Sequence, residues 1–177
     1  MYIQTAEISQ SKLSRFLWTD TRLASVWLII RFYLGYEWFM AGWEKFNNPA
    51  WIGENAGAGV IGFLNGALQK TSGLHPDVSG WYAWFIQSVA LPHPVIFSYL
   101  VTFGELAIGI GLIAGCITGI AAFFGAFLNF NFLFAGTVSI NPEFIVLEIL
   151  LILAWRVAGW YGLDRFVLPV LFRRRSN

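Results

Sequence analysis

The sequence predicts an all-α integral membrane protein, a four-helix bundle with short interfacial helices in its first outward-facing connection. Three observations predict it. Of 177 residues, 57% are hydrophobic and only 12% charged, too little polar surface for a soluble domain of this size. Four apolar stretches reach the roughly 20 residues that cross a hydrocarbon core of about 30 Å. Lys and Arg gather at the two chain ends, where the positive-inside bias places them in the cytoplasm.

Residues 1–22 are polar and of mixed charge, which reads as a cytoplasmic segment. The apolar run after it is too long for the core of a cleaved signal peptide and is expected to act as an uncleaved anchor. The spans are expected at about 23–44, 94–115, 118–138 and 143–163. No charge occurs between Leu106 and Pro142, and Gly115-Cys116-Ile117-Thr118-Gly119 divides that run with a tight reversal. Asn141-Pro142 punctuates the third and fourth spans, Pro being suited to a helix start. The membrane domain is expected over 23–169, with a basic tail over 170–177 that holds Arg173, Arg174 and Arg175.

Lys12, Arg15 and Arg22 precede the first span; Arg165 and the tail arginines follow the last. The expectation is a multi-pass plasma-membrane protein with both termini cytoplasmic. The 45–93 connection would then face outward. Its apolar Gly57–Leu68 stretch and its Trp81-Tyr82-Ala83-Trp84-Phe85-Ile86 cluster suit one or two interfacial helices capping the bundle. They anchor the chain at the headgroup level or form a lid over a lipid-accessible pocket.

The composition also excludes. A formal charge of +1 gives no pull towards nucleic acid. One cysteine, Cys116, makes no disulfide, redox pair or iron–sulfur site. His75 and His93 lie outside the spans, so no haem ligand pair is expected. No metal cluster and no nucleotide-binding glycine fingerprint is present in the sequence.

Five ionisable residues fall inside the apolar stretches: Arg31, Glu37, Glu105, Glu148 and Arg156. A charge at the membrane centre costs about 3 kcal/mol or more and usually pairs inside the bundle. Helical periodicity places Arg31, Gly35, Trp38, Gly42 and Lys45 on one face. Glu105, Gly109, Leu112 and Cys116 share another, and Gly119, Ala122, Ala126, Asn129 and Leu133 a third. In the last span Glu148, Ile152, Trp155 and Gly159 align. Depth along the spans predicts an inner Arg31–Glu105–Arg156 layer and an outer layer of Glu37, Asn131 and Glu148. The inner charges can act chemically or simply fix helix register. A buried outer carboxylate is suited to carry a proton, while Glu37 could instead snorkel to the surface. Asn129 reads as interhelical glue or a ligand contact.

In order and spacing, Arg31…Gly35…Gly42-Trp43-Glu44-Lys45-Phe46, Gly104-Glu105-Leu106…Gly109…Gly111-Leu112, Gly136-Thr137…Ser139…Asn141-Pro142 and Ala154-Trp155-Arg156…Gly159…Gly162-Leu163-Asp164-Arg165…Pro169 resemble the DoxX/DoxD family of small four-helix membrane proteins. The closing Gly-Leu-Asp-Arg…Pro resembles DoxD in particular. That resemblance implies a membrane subunit of thiosulfate:quinone oxidoreductase, with a DoxA-like or soluble redox subunit as partner and quinone as electron acceptor. On that reading Glu105, Glu148, Arg31 and Arg156 are the candidate catalytic residues. Trp38, Asn129, Asn131, Trp155, Glu37 and Lys45 are the candidate quinone or substrate contacts, with Phe130 and Phe134 as further walls. Lys45, Lys70 and His75 could attract an anionic sulfur substrate. A non-enzymatic scaffold that docks a redox partner, and an oligomeric proton-coupled carrier, are the alternative readings.

Overall fold

A computed structural model describes residues 11–172. Among them the chain is all-helical. Helix α1 spans Lys12–Thr19, α2 Ala24–Phe46, α3 Ala58–Leu68, α4 Gly80–Phe85, α5 Pro94–Ala114, α6 Thr118–Phe134, α7 Asn141–Leu153 and α8 Asp164–Leu171. The tail arginines Arg173–Arg175 lie outside the described residues.

The long helices pack as an antiparallel bundle, and glycine sets the register of α2 against α5. A Cβ at Gly35 would lie 3.0 Å from the Ile113 nitrogen, and one at Gly109 2.5 Å from the Phe39 nitrogen. One at Gly42 would lie 2.8 Å from the Leu106 nitrogen. Such approach is open only to helices without side chains at the crossing. The bundle core joins Leu34 and Trp38 of α2, Ile108 and Leu112 of α5, Ala122 of α6, and Phe144 and Leu151 of α7.

Outward, the same helices present large apolar side chains, among them Ile29, Phe32, Leu100, Phe103, Phe123, Phe127 and Val146. Water would not tolerate so extensive a belt. Among the described residues, α5 alone is long and apolar enough to cross a membrane, and α6 is apolar but shorter.

The 45–93 connection folds as expected into short helices, and they build a second core. Val60 and Leu64 of α3 meet Val78, Tyr82, Ile86 and Ala135 there. A π-helical turn, Ile86–Ala90, extends α4. Two polar ties fix this cap to the end of α6. Tyr82 Oη donates to the Asn131 carbonyl at 3.0 Å, and Lys70 Nζ donates to the Gly136 carbonyl at 2.7 Å. Burial pushes the Tyr82 phenol up to about 12, so it stays a donor at physiological pH.

Two helix ends differ from the expectation. Helix α6 stops at Phe134 rather than near 138, because Gly136 reverses the chain at φ 71°. Helix α7 stops at Leu153 rather than near 163. From Ala154 to Tyr161 the backbone runs in tight turns. The N–H groups of Leu163 and Asp164 then donate to the carbonyls of Ala114 and Gly115 at the end of α5, at 3.1 and 2.7 Å. An unbroken helix could not make that return.

Candidate functional site

A cavity of about 500 Å³ lies between the bundle and the α3–α4 cap. Its walls are mainly apolar and aromatic: Trp38, Trp51, Phe63, Tyr82, Phe85, Phe97, Phe132 and Phe144. Its polar groups are few. Glu37, Lys45, Glu105, Asn129 and Asn131 reach it, joined by Thr137, Ser139 and Asn141 on the α6–α7 turn. An apolar pocket of this size with a handful of convergent polar groups is the usual form of a small-molecule site.

Lys45 and Glu105 form the ion pair in the cavity wall. Lys45 Nζ donates to Glu105 Oε2 at 2.8 Å, and the glutamate is 1% exposed. The ammonium also lies 5.2 Å from the centre of the Trp51 ring. The pair exists because α2 crosses α5 at Gly42, where a Cβ would lie 3.1 Å from Glu105 Cβ. One turn further along α2, the lysine stem reaches back over that crossing.

Glu148 lies behind the cavity wall and is fully buried. Trp38 Nε1 donates to its Oε1 at 2.8 Å, and Asn129 Nδ2 lies 3.0 and 2.9 Å from its two oxygens. Gly125 makes room for it, since a Cβ there would collide with Glu148 Oε1. Trp38 and Asn129 both line the cavity, so the carboxylate fixes the orientation of two wall residues. Asn131 is held separately: its Nδ2 donates to the Phe127 carbonyl at 2.7 Å, and its Oδ1 accepts from Tyr82 Oη at 3.1 Å.

The expected inner triad does not form. Glu105 meets Lys45, not arginine. Arg31 lies at the other end of α2, buried, with Nη2 donating to the Tyr161 carbonyl at 3.0 Å. Its Nη1 fills the space where Gly115 would carry a Cβ. Arg156 is exposed and rests on its neighbour Trp155, 4.7 Å from the ring centre. Trp155 packs its Cβ 2.7 Å from where Gly119 would carry one, remote from the cavity. Two of the predicted depths are also exchanged: Glu105 sits level with Gly42 and Glu148 with Trp38, four residues nearer the start of α2, or about 6 Å. The offset between antiparallel helices is set by where glycines allow contact, and span centres do not reveal it.

Glu37 lines the cavity and is half-buried. Phe130 and Phe134 turn outward. Lys70 is committed to Gly136, and His75 is exposed.

Asp164 has a role the sequence did not disclose. It is 2% exposed, and its two oxygens accept from the N–H groups of Ile117 and Thr118 at 2.5 and 2.9 Å. It thereby caps α6 from a distance and holds Ile117 at φ 47°, a conformation costly for a β-branched residue. The signal available was the Gly162-Leu163-Asp164-Arg165 run itself.

An all-helical fold among the described residues, with a wide belt of large apolar side chains outside and Arg31, Glu105 and Glu148 buried within, is that of a helical membrane protein. The DoxX family model matches residues 26–137, and the chain belongs to the DoxX family. The match covers α2 to the end of α6 and stops before the DoxD-like closing motif. Comparison with curated proteins and with solved structures gave no match.

Proposed function

We propose that this chain is the quinone-binding membrane subunit of an oxidoreductase. In this reading α2, α5, α6 and α7 cross the plasma membrane and both termini are cytoplasmic. The aromatic cavity carries the proposal: it lies between the bundle and its cap, and it is apolar with a few polar groups reaching it. The residues fit a quinone headgroup. Lys45 Nζ and the second amide N–H of Asn131 supply donors for its oxygens, and Trp38, Phe63 and Phe132 supply ring contacts. When bound, a quinone supplies the acceptor of two electrons and two protons. The chain's own part is to bind, orient and exclude water. Glu105 neutralises Lys45 inside the wall, and Glu148 is a positioning residue for Trp38 and Asn129.

The donor side is assigned to a partner. Lys45 is paired with Glu105, which neutralises it. Oxidation of thiosulfate, the donor that the DoxD-like motif suggests, is assigned to a DoxA-like or other soluble subunit.

Titration of the detergent-purified protein with a short-tailed quinone, read by tryptophan quenching, tests the proposal. Saturable binding to one site is expected. Lys45→Met/Glu105→Gln should weaken it about tenfold, the effect of losing one hydrogen-bonding pair. Absence of saturation, or an unchanged affinity in the double variant, would overturn it.

A further inference from the structure

At the opposite end of the molecule, where α7 gives way to α8, lies a groove of about 240 Å³. Two guanidinium groups flank it, each resting on an indole. Arg156 lies 4.7 Å from the Trp155 ring centre and Arg165 5.5 Å from that of Trp160. Both arginines are exposed. Neither has a carboxylate partner among the described residues, where the ion pairs are Arg22–Asp20 and Lys45–Glu105. The acid in the groove, Asp164, is committed to the N–H groups of Ile117 and Thr118. The groove therefore presents two exposed positive charges, and its one carboxylate is buried and turned to the backbone.

Its other half is apolar, formed by Leu168, Pro169 and Phe172. Helix α8 also leaves Phe166, Val170 and Leu171 exposed on its surface, the pattern of a helix that lies in a membrane interface. From these observations we propose that the groove binds one anionic phospholipid of the cytoplasmic leaflet. The phosphate diester meets Arg156 and Arg165, whose forked donors match its oxygens. The glycerol and upper acyl chain cover Leu168, Pro169 and Phe172. Free phosphate would satisfy the arginines and leave the apolar half wet. Basic pockets beside cytoplasmic helix ends commonly take lipid headgroups. The inference rests on the membrane placement proposed above and is independent of quinone binding.

Native mass spectrometry of the full chain, with phosphatidylglycerol against phosphatidylcholine, tests it. Wild type should retain one phosphatidylglycerol with about tenfold preference. Arg156→Gln/Arg165→Gln should bring the preference close to one, with an unchanged helical circular dichroism spectrum. Millimolar inorganic phosphate should not displace the lipid. If the glutamine pair fails to fold, wild-type fluorescence decides. Brominated phosphatidylglycerol should then quench the emission that Trp155→Phe removes, and brominated phosphatidylcholine should not. Equal retention of the two lipids, an unchanged preference in a folded glutamine pair, or displacement by phosphate would overturn the proposal. A chain that stays monodisperse without detergent would instead overturn the membrane placement.

Discussion

Glu105 is held at 1% exposure by the ammonium of Lys45, 2.8 Å away, and each partner is the reason the other is tolerated. Removing one member of such a pair strands a charge and costs about 3 kcal/mol, whereas removing both is far milder. Lys45→Met alone should therefore destabilise the protein more than Lys45→Met/Glu105→Gln, measured by thermal unfolding in detergent. A double variant as unstable as the sum of the two singles would show that the groups do not couple. The identities of these buried polar residues were legible from helical periodicity, because a charge among apolar neighbours must face inward. Their pairing was not. Arg31 and Arg156 looked like the natural partners of Glu105 by depth, but a lysine stem one turn beyond Gly42 reaches it instead. Asp164 lay in a quoted motif, yet only the fold shows that it caps a helix 46 residues earlier in sequence.

Among the helices, contact between α2 and α5 depends on the absence of side chains. A methyl group at Gly109 would lie 2.5 Å from the Phe39 nitrogen and 2.7 Å from its Cα, so Gly109→Ala must push the helices apart. Overpacking of this kind costs about 1–3 kcal/mol. Gly62 in α3 has nothing within 4 Å of its would-be Cβ, so Gly62→Ala should stabilise the protein by about 0.5–1 kcal/mol. Unfolding midpoints that move together for both variants would contradict glycine-mediated packing as the source of the register. The sequence carried the starts of the helices well. Pro94, Thr118 and Asn141-Pro142 mark them by local chemistry, within about two residues. The ends of α6 and α7 were less legible, since they depend on tertiary hydrogen bonds at Gly136 and at Leu163–Asp164.

For the whole molecule, the polar features separate into a cavity beneath the cap and a basic groove at the other end, with Arg31 buried near the groove. Composition alone announced the apolar exterior, and charge bias along the chain suggested its orientation. The cavity was foreseen only as a lid over a pocket. Its walls come from six helices and two loops, a convergence that no one-dimensional pattern encodes. The central claim is that this cavity is the quinone site. Photolabelling of the membrane-embedded protein with an azidoquinone, followed by peptide mapping, tests it most directly. Label should concentrate in the C-terminal half of α2 with Trp51, in α5 between Phe97 and Glu105, and in α6 between Phe127 and Phe132, and excess unlabelled quinone should suppress it. Label spread evenly over the apolar exterior, or centred on the groove between Trp155 and Phe172, would contradict it.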